Sequence, residues 1–380
     1  MYTNMDSFNN KRSEFQARVA NLNPDVIGLT EVKPKNATWS LCQQDLMVHG
    51  YKVYTNLEGR GVALYVKNSI QSCEIRLDSA CEDAVWCEVK LHNRDILAMG
   101  VVYRSPNATD NQNDIMMSMI TEIVDRKFSH LLITGDFNYP GIDWSSQRSE
   151  KSWQEQTFLE SFRDWFLWQH VEKPTRYRVQ QTANILDLVI TNEQTMIGEI
   201  NYGEPVGKSD HLCLDWVLKC YATEKDRSTQ AMKYAYNSGN YDEMRRYLRE
   251  QKWEELLHDG SVDTQWKIIS EKIKEVVNKY VPCKKFSGGQ INRKPQWMND
   301  RVLSRIKQKK SAFEHYKQTS EGKDYLAYNH TLRQEILQRK RQDEQSGNMK
   351  RRLLYSQRKI QKPSTDTSTA RRRPELECQT

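Results

Sequence analysis

Signatures of several common protein classes are missing from the sequence. Its eight cysteines never form a CxxC pair, and no two histidines stand at the spacing of a zinc site, which argues against a zinc-binding module. No apolar run is long enough to cross a bilayer, and no apolar core of a secretion signal follows Met1. We therefore expect an intracellular protein with reduced thiols, in the nucleus or the cytoplasm, that has no membrane partner.

Hydrophobic residues are also scarce, at 37% of the 380 residues, and they are unevenly distributed. Up to about residue 220 the chain is rich in Val, Ile, Leu, Phe and Trp, whereas Lys, Arg, Glu and Gln dominate beyond it. This change predicts a buried domain over 1–220, a linker over 221–240, a helical basic connector over 241–361 and a disordered tail over 362–380. The net charge of +7 is compatible with a polyanionic partner but does not identify one.

Short apolar runs alternate with amphipathic patterns in the first 220 residues. The runs at 26–30 and 131–134 predict buried strands, and an apolar face that recurs at helical spacing over 115–124 predicts a helix between strands. A second helical face contains Phe158 and Phe162. This mixture, with acidic or polar residues at the strand ends, predicts an α/β (α+β) layered sandwich.

Isolated carboxylates and amides stand at the ends of several predicted strands. Hydrolysis of a phosphodiester requires a cation that neutralises the phosphate, a group that activates water and a donor that stabilises the transition state. Hard oxygen ligands suit Mg²⁺, so carboxylates that converge at strand ends are the pattern expected of such a site. Each residue alone has an ordinary explanation as a solvated cap or turn, except that a carboxylate inside an apolar run needs a partner. The candidates are Glu31, Asp136, Asn138, Asp187, Asp210 and His211.

Five segments form an ordered set: Thr30-Glu31, Val102–Asn107, Leu132–Asn138, Leu186–Thr191 and Lys208–His211. In this order they resemble the motifs of the endonuclease/exonuclease/phosphatase superfamily. The residue sequences at 30–36 and 103–106 are similar in particular to those of the apurinic-site-endonuclease-like domain of non-LTR (LINE-type) retrotransposon proteins. The resemblance implies a four-layered α/β sandwich of deoxyribonuclease-I-like type, followed by a helical basic extension.

Weaker similarity continues through 253–256, 280–282 and 294–297, which resemble the connector before the reverse transcriptase of such elements. The polymerase signature Tyr/Phe-x-Asp-Asp does not occur, so we expect the chain to stop before the polymerase. Acidic residues interleave with the basic clusters of the extension. We therefore interpret the extension as a solvated connector rather than as an arm that grips DNA.

The resemblance implies a role for each matching residue. Glu31, Asn4 and Asp210 would bind Mg²⁺, with Mn²⁺ able to substitute, on the metal side of the site. Tyr103 would donate a hydrogen bond to the scissile phosphate, and Arg104 would add positive charge near that phosphate. The substrate implied by these assignments is DNA.

Besides Tyr103, the catalytic roles implied by the resemblance fall on four residues. Asp136 would orient and activate the attacking water, and Asn138 would hold that water or the phosphate. His211 would stabilise the charge that grows on the phosphate, while Asp187 would fix the tautomer of His211 from behind. The pairing agrees with the general chemistry of an imidazole that is oriented by a carboxylate.

Three functions remain open at this point. The first is a DNA endonuclease that nicks target DNA for a non-LTR retrotransposon and leaves a free 3′-hydroxyl. The second is a phosphatase or phospholipid esterase of the same superfamily, because the catalytic set is shared. The third is a catalytically decayed remnant that only binds nucleic acid, since three residues alone precede Asn4 and predict a short first strand that holds it weakly. Neither the oligomeric state nor the target sequence follows from the residues.

Overall fold

The structure, a computed structural model, describes residues 1–35, 41–79, 81–149, 152–178, 182–220, 232–258, 261–285, 295, 297–319 and 323–360. Most of the predicted linker and the whole predicted tail at 362–380 lie outside these residues. The helices are α1 (Arg12–Leu22), α2 (Asp110–Asp125), α3 (Trp153–Asp164), α4 (Tyr241–Arg249), α5 (Trp253–Leu256), α6 (Val262–Tyr280), α7 (Asp300–Thr319) and α8 (Lys323–Ile360).

The strands include both of the buried runs that the sequence predicted, now β2 and β8. In chain order they are β1 (Tyr2–Asn4), β2 (Val26–Thr30), β3 (Tyr51–Asn56), β4 (Val62–Lys67), β5 (Ser72–Glu74), β6 (Ala84–Lys90), β7 (Ile96–Tyr103), β8 (His130–Asp136), β9 (Ile142–Asp143), β10 (Arg148–Ser149), β11 (Trp168–Gln169), β12 (Asp187–Thr191), β13 (Asn201–Gly203), β14 (Cys213–Asp215), β15 (Met232–Tyr234) and β16 (Cys283–Lys285).

Two six-stranded sheets bring the candidate residues together. One has the strand order β13-β14-β1-β2-β4-β3 and the other β11-β12-β8-β7-β6-β5. In each sheet the two middle strands run parallel, β1 with β2 and β7 with β8, while their neighbours pair antiparallel. The carboxyl ends of the parallel strands therefore lie at one edge of each sheet, where the polar residues of the sequence motifs follow.

Helices cover the outer face of each sheet, so that the domain has four layers. Phe15 and Val19 of α1 pack on the first sheet around Ile27 and Tyr65. Apolar side chains of α2 and α3 pack on the second sheet; they are Met116, Met119, Ile120, Ile123, Phe158, Leu159 and Phe162. The fold class predicted from the sequence, a four-layered α+β sandwich followed by a helical extension, is confirmed.

The inner faces of the two sheets pack closely at Gly28 of β2. A Cβ atom at this position would lie 3.0 Å from Cγ2 of Val101 in β7 and 3.1 Å from Cγ2 of Thr134 in β8. Those distances are tighter than ordinary van der Waals contact, so the absence of a side chain lets β2 lie against the middle strands of the other sheet. The carboxyl ends of all four middle strands are thereby held near one another.

Contacts along the chain divide it into two compact units. The first comprises Met1–Asn68, Ser72–Tyr221 and Lys294–Thr380, and the second comprises Ser69–Gln71 and Ala222–Arg293. The domain boundaries predicted at 220, 240 and 361 stay a prediction. None of the helices in the described ranges has the length and apolar composition that crossing a bilayer requires.

The helices α7 and α8 of the extension pack on α1. Their shared core contains Met298 and Val302 from one side and Leu332 and Ile336 from the other, around Ala17 of α1. In the second unit, Tyr247 of α4 contacts Tyr280 of α6, with ring centroids 6.1 Å apart. The extension is therefore helical, as the sequence predicted.

Candidate active site

Four middle strands end at one cluster of polar side chains. β1 ends at Asn4, which pairs with Thr30 at the end of the parallel strand β2, and Glu31 follows directly. In the other sheet Tyr103 at the end of β7 pairs with Asp136 at the end of β8. The parallel registers thus place the predicted metal side and the predicted catalytic side at the same edge of the sandwich.

His211 and Asp187 form a buried hydrogen-bonded pair. Nδ1 of His211 donates to Oδ2 of Asp187 at 2.8 Å, and the hydroxyl of Tyr2 donates to Oδ1 of the same carboxylate at 3.0 Å. Burial by itself lowers the pKa of His211, but the negative charges of Asp187 and Asp136 outweigh it and raise the pKa to about 9. At neutral pH the imidazole is therefore protonated, with Nδ1 held by Asp187 and Nε2 directed to the other side.

The other side of the imidazole meets Asp136. Nε2 of His211 lies 3.8 Å from Oδ2 of Asp136, a carboxylate that is 1% exposed. Oδ2 accepts a hydrogen bond from Nδ2 of Asn4 at 2.8 Å, whereas Oδ1 has no hydrogen-bond partner among the residues that the structure describes. Burial raises the pKa of Asp136 to about 7, against the opposing charge of His211. One of its oxygens is thus available to accept a proton near neutral pH.

Asn4 connects the two carboxylates of the site. Its Nδ2 also donates to Oε1 of Glu31 at 2.9 Å, and its Oδ1 accepts from the backbone N–H of Asp6 at 2.9 Å. The expectation that a short first strand would hold Asn4 weakly is not met by this geometry. β1 has three residues, but it is hydrogen-bonded on both sides, to β2 and to β14, and Asn4 is fully buried.

Glu31 faces an arginine that the sequence reasoning missed. Nε of Arg60 donates to Oε2 of Glu31 at 3.1 Å, and a second guanidinium nitrogen contacts the same oxygen. Burial by itself raises the pKa of Glu31, but hydrogen bonds from Asn4 and Arg60 outweigh it and keep the pKa below its ordinary value. Glu31 also adopts left-handed backbone angles, with φ at +50°, where the chain turns out of β2.

Asp210 is likewise held by two arginines that sequence spacing did not connect to it. Oδ2 of Asp210 accepts from Nε of Arg176 at 2.9 Å and lies 3.2 Å from Nε of Arg178. Its Oδ1 lies 3.9 Å from Nε2 of His211. Burial by itself raises the pKa of Asp210, yet His211 and Arg176 lower it below the ordinary value. Asp210 is therefore ionised beside the imidazolium.

The remaining predicted residues divide between the cavity and its support. Tyr103 and Asn138 line a cavity of about 400 Å³ at this edge. Burial raises the pKa of the Tyr103 hydroxyl, which stays a hydrogen-bond donor. Arg104 does not line the cavity: Nε donates to Oδ1 of Asn113 at 2.8 Å, another nitrogen donates to the carbonyl of Asn138 at 3.0 Å, and the guanidinium stacks on Tyr139. The structure does not bring Arg104 to the predicted phosphate position, because these partners turn it inward.

The donor set of the cavity fits a divalent cation. Asp136, Asp187 and His211 offer potential ligand atoms that lie within 4.8 Å of one another. Asp187 and His211 already bind each other, and Oδ1 of Asp136 is the oxygen left to accept a proton, so the carboxylate of Glu31 is the better candidate for the cation. Each carboxylate oxygen keeps lone pairs beyond those used by Asn4 and Arg60, and oxygen ligands suit Mg²⁺ or Mn²⁺.

Basic side chains surround this acidic floor. The cavity lining includes Lys35, Arg60, Arg176 and Arg178 together with the carboxylates. A rim of cations around buried carboxylates attracts an anionic substrate while the floor retains its own negative charge. No local pattern in the sequence identified these basic residues, because only the loops of the folded chain bring them beside Glu31 and Asp210.

Residues 97–214 match a family model that is described as endonuclease-reverse transcriptase. This range contains Tyr103, Asp136, Asp187 and His211, whereas Asn4 and Glu31 lie before it. The match confirms that this part of the chain resembles an endonuclease/exonuclease/phosphatase domain of the endonuclease-reverse transcriptase kind. A search of curated proteins finds no match.

Three solved structures are similar to this chain over most of their own length. The endonuclease domain of TRAS1, a telomere-specific non-LTR retrotransposon, is 13% identical, covers 57% of this chain and 96% of its own, and has a TM-score of 0.45. The catalytic domain of APE2 from Xenopus laevis is 14% identical, covers 59% and 93%, and has a TM-score of 0.44. The 3′ phosphatase NExo from Neisseria, bound to a product DNA hairpin, is 15% identical, covers 57% and 98%, and has a TM-score of 0.44.

Proposed function

We propose that this protein is a Mg²⁺-dependent phosphodiesterase that nicks DNA as the endonuclease of a non-LTR retrotransposon. The observation that carries the proposal is the buried arrangement of Asp136 against an imidazolium that Asp187 holds from behind. It combines a carboxylate oxygen without a partner, an oriented acid and an anion-attracting rim in one cavity. The motif order and the matched family support this reaction class, and the retrotransposon setting rests on them alone.

Glu31 is the residue that would hold the cation, and Asp210 and Asn4, which also line the cavity, would complete the metal side. When bound, the ion supplies positive charge that neutralises the phosphate. Arg60 and Asn4 keep the carboxylate of Glu31 ionised and fixed in orientation. Mn²⁺, which accepts the same oxygen ligands, is expected to substitute for Mg²⁺.

The side chains around the phosphate carry out the proton transfer and stabilise the charge on the phosphate. Oδ1 of Asp136 takes a proton from water as the water oxygen forms its bond to phosphorus. Nε2–H of His211 donates to a phosphate oxygen and stabilises the negative charge that accumulates there. The hydroxyl of Tyr103 donates to the phosphate, and Asn138 lies at the same wall. As the bond between phosphorus and the 3′ oxygen breaks, that oxygen leaves and takes a proton from water, which leaves a 3′-hydroxyl and a 5′-phosphate.

The rim of the cavity favours a polyanion over a small ester. Arg176 and Arg178 form ion pairs with Asp210 but remain partly exposed. Arg60 forms an ion pair with Glu31 and is also partly exposed. Such cations contact the phosphates that flank a scissile bond, and their contribution weakens as salt concentration rises. We propose duplex DNA as the substrate and the interior of the cell, nucleus or cytoplasm, as the place of action.

A plasmid-nicking assay tests this function directly. Supercoiled plasmid is incubated with the full chain in Mg²⁺, in Mn²⁺ and in EDTA, beside His211→Gln and the exposed control His92→Gln. We expect nicks with either metal, none in EDTA, loss with His211→Gln and native activity with His92→Gln. Extension of the nicked strand by a DNA polymerase without prior phosphatase treatment would establish the 3′-hydroxyl.

Two results of the same assay would contradict the proposal. Hydrolysis of soluble phosphate monoesters or inositol phospholipids, with no cleavage of DNA, would assign the chain to the phosphatases or lipid esterases. Folded protein that binds DNA but cleaves nothing in any metal would make it a decayed nucleic-acid-binding remnant. The salt dependence of plasmid binding then measures what the basic residues retain.

A further inference from the structure

The helices of the extension reach the loop that carries the catalytic histidine. Lys309 of α7 is fully buried, and its Nζ pairs with the carboxylate of Glu14 in α1. The same Nζ donates to the carbonyl oxygen of Pro205 at 2.7 Å. A fully buried lysine is costly unless its charge and its hydrogens are all used, so this contact fixes the position of the carbonyl closely.

A second side chain of the extension holds the same loop two residues later. Asn329 of α8 is buried, and its Nδ2 donates to the carbonyl oxygen of Gly207. Gly207 has left-handed backbone angles, with φ at +61°, and a Cβ atom there would lie 2.6 Å from Cγ of Lys11. The loop at 205–207 therefore lies between Lys11, the residue before α1, and the two helices of the extension.

Short hydrogen-bonded links connect this loop to the active site. The backbone N–H of Ser209 donates to the carbonyl of Val206 at 3.2 Å, and its hydroxyl donates to the carbonyl of Asn4 at 2.9 Å. The backbone N–H of His211 lies 3.3 Å from that hydroxyl oxygen. A displacement of the loop at 205–207 is thus carried to Ser209 and from there to the backbone of His211.

A third contact reaches the arginines that hold Asp210. The ring of Phe313 in α7 meets the ring of Tyr177 edge to face, with centroids 6.4 Å apart. The backbone N–H of Tyr177 donates to the carbonyl oxygen of Asp210 at 2.8 Å, and the residues on either side of Tyr177 are Arg176 and Arg178. The extension therefore contacts both segments that fix Asp210, the loop before it and the arginine segment opposite.

We infer that α7 and α8 are a positioning element of the active site, and that Lys309 and Asn329 are its positioning residues. By holding the carbonyls of Pro205 and Gly207, they set the place of Asp210 and His211 relative to Asp136. This inference rests on the proposed function, and it goes beyond it because both residues lie outside the matched range 97–214. The two helices of the extension then belong to the nuclease itself.

The test compares two lysines that are neighbours on α7. Lys309→Met removes the buried donor, and Lys310→Met removes the same charge from an exposed position. We expect kcat for plasmid nicking to fall about 10- to 100-fold with Lys309→Met while KM for DNA stays near the native value, because small displacements of reacting groups act on turnover. Lys310→Met is expected to keep the native kcat.

Hydrogen exchange supplies a readout that does not require activity. Amides in the segment 204–212 are expected to lose protection in Lys309→Met and to keep it in Lys310→Met. If Lys309→Met does not fold, Asn329→Ala takes its place, with the exposed neighbour His330→Ala as control. In the double variant Asn329→Ala and Asp210→Asn, the fold-decrease in kcat should be smaller than the product of the fold-decreases in the two single variants, because both substitutions act through Asp210.

The outcomes of the two readouts separate this inference from the proposed function. Folded Lys309→Met and Asn329→Ala proteins with native kcat and native protection of 204–212 would overturn the positioning role. A native chain that cleaves no DNA would instead overturn the proposed function. Loss of protection in 204–212 would in that case still support the connection between the extension and the His211 loop, and unchanged protection would refute it.

Discussion

Two buried clusters of charge in this chain differ in how completely their atoms are paired. Beneath the extension, Lys309 and Glu14 are one cation and one anion, and Lys309 also donates to the carbonyl of Pro205. In the cavity, Asp136 and Asp187 are two carboxylates that share one imidazolium, and Oδ1 of Asp136 has no partner within the described part of the chain. One cluster is balanced, and the other carries surplus negative charge.

The difference indicates what each cluster does. A buried ion pair that is balanced and hydrogen-bonded resists the loss of either partner, which is typical of a structural contact. A buried carboxylate with an unused oxygen is unstable by itself and needs a proton or a cation from outside. Such a group is retained where its chemistry is used. Substitutions in the two clusters should therefore have opposite effects on stability.

Asp136→Asn separates activity from stability most strongly. We expect plasmid nicking to fall by roughly 10³-fold, because the amide cannot accept the proton of the attacking water. The free energy of unfolding should stay at the native value or rise, because the surplus charge beside Asp187 is removed. Nicking rates and urea unfolding of the same preparation measure both, with exposed Asp114→Asn as the matched control. A destabilised variant that still nicks would contradict the assignment.

Lys309→Met should have the opposite effect on stability. Removal of the lysine takes away the cation that pairs directly with the buried carboxylate of Glu14, so we expect the free energy of unfolding to fall by about 3–5 kcal/mol. The double variant Glu14→Leu and Lys309→Met replaces the pair with apolar side chains and should recover most of this loss. Urea unfolding of native, single and double variants decides the matter, and a double variant as weak as the single would show that Glu14 is not the cause.

The surplus charge in the cavity should also appear in the pH dependence of stability without metal. Burial raises the pKa of Asp136 from 3.8 to about 7, so between these values the folded protein holds a proton that the unfolded chain has released. The stabilisation from this proton is complete below the lower value and is lost as the pH rises through about 7. The raised pKa of His211 acts in the same direction, with its loss between 6.5 and about 9.

Urea unfolding in EDTA measures this dependence. We expect the native free energy of unfolding to decrease from about pH 4.5 to about pH 9 relative to His211→Gln and Asp136→Asn, each of which removes one part of the decrease. Asp114→Asn should follow the native curve. Parallel curves for the native protein and Asp136→Asn below about pH 7 would contradict the raised pKa of Asp136.

Arg60→Gln tests whether an internal cation competes with the metal for Glu31. The guanidinium occupies Oε2 of that carboxylate, so its removal should lower the Mg²⁺ concentration at half-maximal nicking by roughly three- to ten-fold. The control Arg76→Gln alters an exposed arginine of the same unit. An unchanged Mg²⁺ requirement with weaker DNA binding would instead assign Arg60 to the substrate alone.

Tyr2→Phe is expected to have the smallest effect. The hydroxyl donates to Oδ1 of Asp187 and accepts from the hydroxyl of Thr30, so its loss should cost about 1–2 kcal/mol of unfolding free energy and lower nicking a few-fold. Tyr54→Phe removes a hydroxyl that donates to Ser72, and neither of these residues lines the cavity. Equal losses of nicking in both variants would mean that the effect is general destabilisation.

Local sequence patterns were sufficient to predict the layered fold, and together with the family resemblance they predicted part of the cavity lining: Asn4, Glu31, Tyr103, Asp136, Asn138, Asp210 and His211. Apolar runs identified β2 and β8. Glu31, which follows β2, and Asp136, which ends β8, were predictable because local pattern sets where a strand ends. The partner of Asp187 was also predictable, since a carboxylate in an apolar run requires a donor and the motif order pointed to His211. The roles assigned to these residues stay predictions until the variants are measured.

The pairing of cations with carboxylates, in contrast, emerged only from the folded chain. Lys309 and Glu14 are 295 positions apart, and periodicity within a helix carries no information about a partner on another element. Arg104 and Arg60 show the same limit. The sequence predicted that Arg104 lies near the phosphate, but contacts with Asn113 and Tyr139 keep it away from the cavity. Arg60, which was not predicted, contacts Glu31 from a loop. Ion pairs of this kind depend on distances across the fold, which no local pattern of residues specifies.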